Sequence, residues 1–290
     1  MNKLNLLIIF LASFTLAFKA DKPAYILFDN AGKETSYAKL IEDASKADIV
    51  FYGELHNDPV SHWLELEITR DLYGLKGAGL ILGAEMFERD DQLVLNEYLD
   101  NLYDADKFEP ETKLWKNYKT DYRPLLEFAK ENDLLFIATN IPRRYASMVS
   151  RSGFEILDSL SDEAKKYIAP LPPLYDSELK GYRDMLNMEG GNGMSHVNEN
   201  LPKAQAIKDA TMACSILEHW KEGKTFIHYN GSYHSRNFEG IIWYLRQARP
   251  DLNIVTVETV IQEDISELEE ANTGIASYVV AVPESMTKTY

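Results

Sequence analysis

The stretch Asp48-Ile49-Val50-Phe51-Tyr52-Gly53-Glu54-Leu55-His56-Asn57 decides how this chain is read. A β-type hydrophobic run ends in a knot of polar, ionisable residues. Three more runs do the same: Gly79-Leu80-Ile81-Leu82 into Gly83-Ala84-Glu85-Met86-Phe87-Glu88, Leu134-Leu135-Phe136-Ile137-Ala138 into Thr139-Asn140-Ile141-Pro142-Arg143-Arg144, and Thr225-Phe226-Ile227-His228-Tyr229 into Asn230-Gly231-Ser232-Tyr233-His234. Ligands of open α/β sheets bind in the crevice outside the carboxyl ends of the strands. If the four runs are neighbouring parallel strands, their polar ends converge on one crevice.

Helical periods separate the runs, and strand alternating with helix points to an α/β fold: a mainly parallel β-sheet flanked by helices. Asp58-Pro59 reads as an N-cap and first-turn proline. After them Val60, Trp63, Leu64, Ile68 and Leu72 recur at helical spacing to about Tyr73. Further helices are expected near residues 90–99, 121–132, from Pro142, over 202–222 and over 237–247. Two further strands are expected at 252–257 and 276–282. Residues from about 154 to 200 break the rhythm. They carry no strand pattern, three prolines (Pro170, Pro172, Pro173) and the glycine-rich stretch Glu189-Gly190-Gly191-Asn192-Gly193. This predicts a smaller helical insertion, which is either a lid over the crevice or surface decoration.

The 290 residues suit one large α/β domain, and 45% hydrophobic content supplies a core and argues against long disordered tracts. Residues 4–18 are almost unbrokenly apolar behind Met1-Asn2-Lys3, a run too short for an ordinary membrane span. Residues 1–20 are therefore expected to be a signal peptide cut near Ala20, with an uncleaved anchor as the other reading. Either places the body of the protein, residues 21–290, outside the cytoplasm, in the periplasm or outer cell envelope. The formal charge of −16 argues against nucleic acid and anionic membrane surfaces as partners. The single cysteine, Cys214, makes no internal disulfide and offers no lipid-anchoring position behind the leader. It reads as a small packing residue.

Glu54 and His56 stand two apart at a strand end, where both can turn to one face. With Glu85 and His234 they form a candidate catalytic set, and equally a candidate set of ligands for a divalent metal. No H-E-x-x-H, phosphate-binding loop, G-x-G-x-x-G or G-x-S-x-G occurs, so the common zinc-protease, nucleotide and serine-hydrolase classes lack their motifs. His62, one turn into a helix beside Trp63, reads as a helix-face histidine, His228 as a satisfied core histidine, and His219 as a favourable helix-end charge. Arg143 and Arg144 oppose the dipole of the helix that Pro142 opens, so one is expected to meet an acidic partner or an anionic ligand. Met185, Met188 and Met194 would suit a flat apolar ligand or simply fill gaps.

Six motifs in order carry a resemblance: Tyr52-Gly53-Glu54-Leu55-His56-Asn57, Gly83-Ala84-Glu85-Met86-Phe87, Tyr118 through Tyr122-Arg123-Pro124-Leu125-Leu126-Glu127-Phe128-Ala129, Ala138-Thr139-Asn140-Ile141-Pro142-Arg143, Lys208-Asp209-Ala210-Thr211-Met212-Ala213, and Asn230-Gly231-Ser232-Tyr233-His234. The chain resembles the ChaN-type haem-binding uptake proteins, allied to the Tiki and erythromycin-esterase-like folds, over roughly residues 40–260. The resemblance implies an α/β domain with a smaller helical domain and haem between them, sometimes as a stacked pair across a homodimer. It also implies haem or iron acquisition in the bacterial envelope. Iron held by a tyrosine and propionates held by basic side chains are implied too. Asn140, Arg143, Tyr145, Tyr233 and His196 are the candidate cofactor-binding residues, Tyr175 and Tyr182 are further tyrosine candidates, and a histidine ligand stays open. More distant relatives are hydrolytic or metal-dependent, and their shared residues correspond to Glu54, His56, Glu85 and His234. The chain departs from many such proteins in lacking a lipidated cysteine, and it carries the bulky Ser232-Tyr233 before His234. Three functions follow: an exported haem-binding protein of iron uptake, a hydrolase, or a structural envelope protein.

Overall fold

A computed structural model describes residues 22–190 and 198–290; the expected leader, Met194 and His196 lie outside them, as does the Met188 side chain. Seven strands form one sheet: β1 (Ile26–Asp29), β2 (Ile49–Glu54), β3 (Leu80–Glu88), β4 (Phe136–Asn140), β5 (Thr225–Gly231), β6 (Ile254–Gln262) and β7 (Tyr278–Pro283). Their order is β1-β7-β6-β2-β5-β3-β4. Every pairing is parallel except β1 with β7. The expectation from sequence has no strand before Asp48. β1 is four residues long and pairs on one side only, too short for alternation to announce it.

The central strands are buried along their whole length because helices cover both faces. Alternation along β2 sorts its side chains between two apolar layers. Val50 and Tyr52 pack with α1 (Tyr37–Ala44), α2 (Pro59–Lys76), α3 (Gln92–Leu99), α4 (Ala105–Glu111) and α5 (Arg123–Glu131). Ile49 and Phe51 pack with α6 (Arg143–Ser152), α9 (Leu201–His219) and α10 (Ile241–Ala248). The start of α2 is as expected: Asp58 Oδ1 accepts from the Val60 and Ser61 amides, and Pro59 occupies the first turn. α10 starts later than expected, because Asn237, Phe238 and Gly240 all have positive φ and form a turn.

Among the described residues between α6 and α9 there are helices and helical turns and no strand. α7 (Asp162–Lys165) is one turn, capped by Ser161, and α8 (Lys180–Gly190) docks on α9. The acidic stretch 263–269 forms bends and irregular chain. Cys214, expected in the interior, is only partly buried against the second layer. Its thiol donates to Glu218 and is pushed up to about 11 by burial and the Glu218 charge. No described helix is long and apolar enough to cross a membrane.

The strand order places the crevice. β2 and β3 are consecutive in sequence, yet β5 lies between them, while β6 lies on the other side of β2. The connection from the carboxyl end of β2 therefore runs toward β3, and that from the neighbouring β5 runs the opposite way to β6, the arrangement that opens a cleft. Gly53 is required on this edge. A Cβ there would lie 2.1 Å from Glu258 Oε2, a carboxyl group fully buried beside β2 and pushed up to about 8 by that burial. Overpacking of this kind costs about 1–3 kcal/mol. Gly53→Ala should therefore lower stability by about that amount in chemical denaturation, whereas Gly74→Ala, where a Cβ meets nothing within 4 Å, should not.

Candidate functional site

Glu54, His56, Glu85, Asn140, Arg143, Tyr233 and His234 all line one cavity of about 820 Å³ at the carboxyl ends of β2, β3, β4 and β5. Two imidazole–carboxylate pairs form its floor. In the first, His56 Nδ1 meets Glu54 Oε1 at 2.6 Å, and the Tyr122 hydroxyl donates to the same oxygen at 2.6 Å. The π-helical turn Tyr118–Tyr122 places that tyrosine. The His56 ring stands edge-on to Trp115 and is the more exposed member of its pair. It lies across Gly231, where a Cβ would come within 2.8 Å of His56 Nε2. Burial would raise the Glu54 carboxyl, but the His56 hydrogen bond and the His62 charge outweigh it and hold Glu54 below its ordinary value. Burial would lower His56, and Glu54 raises it instead.

The second pair is deeper. Glu85 lies within β3, where the register against β4 shifts between Ala84 and Glu88. Glu85 Oε2 accepts from the Gly231 amide at 2.9 Å, and Oε1 faces His234 Nε2 at 3.2 Å. His234 Nδ1 meets Asp209 Oδ1 at 2.5 Å, and the Tyr182 hydroxyl donates to Asp209 Oδ2 at 2.7 Å. Burial would lower His234, but the charges of Glu85 and Asp209 on either side raise it to about 10. Burial would raise Glu85, yet the His234 charge and hydrogen bond, helped by Lys208, hold it well below the usual carboxylate range. Asp209 is pushed up by burial despite His234. His234 is thus an imidazolium clamped between two carboxyl groups.

The opposite wall is different. Ile141, Ala146, Met185, Leu201 and Ala204 give it an apolar surface, and Arg143 and Lys208 bring cations to it. Neither has an ion-pair partner among the described residues. Arg144, by contrast, meets Asp90 at 2.6 Å and leans over the Tyr145 ring. The expectation that one of the two arginines has an acidic partner thus falls on Arg144. Asn140 donates to the Glu85 carbonyl at 3.0 Å, and its Oδ1 is left buried without a partner.

The tyrosine candidates separate. Tyr145 does not line the cavity; it is buried in the second apolar layer with its hydroxyl taken by Arg144. Tyr182 is spent on Asp209, and Tyr175 stacks on Tyr182. Tyr233 contributes its ring, but its hydroxyl is buried without a partner, on the side where a Gly181 Cβ would meet it at 3.3 Å. Burial, then the charges of Asp209 and Glu239, raise that phenol and disfavour a phenolate. His228 is the satisfied core histidine expected, bonded to Thr139 and Asn230 and held neutral by burial, at about 4. His219 ends α9, with Nδ1 against the Ser215 carbonyl. His62 does not fit the helix-face expectation. It is buried against Glu54, Glu65 and Asp121, and Trp63 beside it is half exposed instead.

Asp209, Lys208, Tyr122 and Trp115 complete the cavity's surroundings and were not singled out as site residues from sequence. Asp209 left a signal: a carboxylate among Ala206, Ala210 and Ala213, on the face of α9 that the helical period buries.

Residues 40–245 match the family described as "Haem-binding uptake, Tiki superfamily, ChaN". The chain belongs to the ChaN family. Its fold is that of the structure described as "Cofacial heme binding to ChaN of Campylobacter jejuni", with a TM-score of 0.68 at 17% identity, over 88% of this chain and 96% of that one. A curated plant protein, Protein RETICULATA-RELATED 5, chloroplastic, of Arabidopsis thaliana, is 26% identical over 197 residues. Those residues are 63% of this chain and only 26% of the plant protein, so this ChaN-family chain spans about a quarter of that relative.

The clamp has a pH signature. His234 is raised from its ordinary 6.5 to about 10, so its contribution to stability is complete below about pH 6.5 and is lost as pH rises through about 10. Removing one partner of a buried pair costs about 3–5 kcal/mol. His234→Gln should lose about that much at pH 6.5 and show a shallower decline above it. Urea denaturation across pH 6–10 measures this, and equal slopes in both proteins would contradict it.

Proposed function

We propose that this protein is an exported haem-binding protein of bacterial haem or iron uptake, with haem held in the cavity at the strand ends. Family membership supports the ligand class. The observation that carries the reading is Arg143 and Lys208, two cations without ion-pair partners among the described residues, on a wall where Ile141, Ala146, Met185, Leu201 and Ala204 are apolar and Ser147, Ser150 and Gln205 are polar but uncharged. Haem is a flat apolar ring with two carboxylate tails, and that wall suits both parts. A volume of about 820 Å³ lies within the range of roughly 300–1,000 Å³ usual for small-molecule sites. Arg143 and Lys208 would hold the propionates, and Ile141, Met185 and Trp115 would meet the ring. His56 offers an imidazole of the kind haem iron takes: Nδ1 is fixed by Glu54, and Nε2 has no hydrogen-bond partner among the described residues. Bound haem would supply iron in a form that can be passed on. The apolar leader supports export to the periplasm or outer envelope. A second copy closing the open side would allow cofacial haem binding of the kind described for ChaN of Campylobacter jejuni.

A second reading, hydrolysis, is favoured by one observation: the pairs His56–Glu54 and His234–Glu85 meet across Gly231, one imidazole reachable from the cavity and the other held protonated. Ester or peptide cleavage that disappears in Glu85→Gln and His234→Gln would establish it.

Titration of the purified protein with haemin should give a saturable Soret shift at micromolar haemin. A charge-assisted hydrogen bond is worth about 1.5–3 kcal/mol, so Arg143→Ala and Lys208→Ala should each weaken binding about 10- to 100-fold. His56→Ala should alter the absorption bands more than the affinity. No saturable shift in the native protein would sink the haem reading.

A further inference from the structure

We propose that Glu54, His62 and Glu65 bind one divalent transition-metal ion, Zn²⁺ or Mn²⁺, behind the cavity floor. This site requires no haem, and it lies behind the Glu54–His56–Glu85–His234 set, with which it shares Glu54. All three side chains are buried, and one ligand atom from each lies within 4.8 Å of the others.

Hydrogen bonding fixes which atoms face inward. His62 Nε2 lies 3.1 Å from the His56 carbonyl, which can only accept, and 3.4 Å from Asp121 Oδ2. The Nε2 proton is thus used, and Nδ1 is the nitrogen that faces the carboxylates, hydrogen-bonded to Glu65 Oε2 and able to become a ligand when an ion takes the place of the proton between them. Nδ1 faces Glu65 Oε2 at 3.2 Å and Glu54 Oε2 at 3.6 Å. Glu54 Oε1 is already occupied by His56 and Tyr122, which leaves Oε2 for the interior. Glu54 Oε2 and Glu65 Oε1 are both buried without a hydrogen-bond partner. Two carboxylates gathered out of water around one imidazole nitrogen are repulsive unless protons or a cation lie between them.

The spacing suits an ion. Ligands about 2.0–2.1 Å from a tetrahedral metal stand about 3.3 Å from one another, between the two distances observed here. Asp121 completes the surroundings from the far side of the imidazole, itself fixed by Asn117 at 2.7 Å. One imidazole with carboxylate oxygens is a borderline-to-hard set, suited to zinc or manganese rather than to copper(I) or calcium. A proton shared between Glu65 and Glu54 is the competing occupant. It would neutralise one carboxylate, with a second proton serving the His62–Glu65 hydrogen bond, and a bound ion displaces both.

The test uses haem-free protein, stripped with a chelator and dialysed against micromolar Zn²⁺ or Mn²⁺, with metal per chain measured by mass spectrometry. About one ion per chain is expected. His62→Gln and Glu65→Gln should lower occupancy tenfold or more, while Glu85→Gln and His234→Gln should leave it unchanged. X-ray absorption of the native zinc protein should show one imidazole among oxygen ligands, and this decides the matter if the His62 and Glu65 variants fail to fold. Native protein that retains under a tenth of an ion per chain overturns the proposal, as does a two-imidazole spectrum or loss of metal in Glu85→Gln. Because haemin titration is separate, failure here and failure of the haem reading are distinguishable.

Discussion

Glu54, Glu65, Glu85, Asp121, Asp209 and Glu258 are withdrawn from water at or near the strand ends, and the local structure is organised around keeping each tolerable. An isolated buried carboxylate costs several kcal/mol unless it is paired, hydrogen-bonded or neutralised. Each device is used. Glu85 has an imidazolium and a backbone amide, and Asp209 has that same imidazolium and a tyrosine. Glu258, with only the Ser235 hydroxyl on one oxygen and a pKa raised by burial, is favoured as the neutral acid. The register shift in β3, the π-helical turn at Tyr118–Tyr122 and the bare backbone of Gly53 and Gly231 are the means by which the fold brings partners to these groups.

The α/β class was legible because helical and strand periods alternate cleanly, and the crevice because parallel strands point their polar ends one way. The sequence also marked Glu54, His56, Glu85, Asn140, Arg143 and His234, which end or follow those strands except for Glu85, where β3 runs on to Glu88. Partners on helices were harder to read. Asp209 and His62 look like ordinary members of α9 and α2 until the rotation of each helix against the sheet is known. His62 and Trp63 are adjacent, and only tertiary packing determines that the histidine turns inward and the tryptophan outward. The choice among tyrosines was likewise beyond spacing: Tyr145 and Tyr233 are in or near motifs, Tyr182 is in the insertion, and they differ in where the hydroxyl ends up.

The cavity has two chemically unlike halves, and this bears on what it can hold. The floor carries ionised or protonated groups already satisfied by one another, so a ligand gains little from them. The wall around Arg143 and Lys208 carries charge that is not satisfied within the described chain. A molecule with an apolar body and anionic tails gains most by lying along that wall, with His56 as the floor group best placed to reach it.

Glu54 presents one oxygen to the cavity side and the other to the interior. A carboxylate is one conjugated unit, so charge drawn toward one oxygen is withdrawn from the other. Whatever neutralises the inner oxygen must weaken the hold of the outer one on His56, and whatever consumes the His56 proton must strengthen the inner one. The two faces of the sheet's edge are therefore thermodynamically linked through a single side chain, and the linkage acts with equal size in both directions.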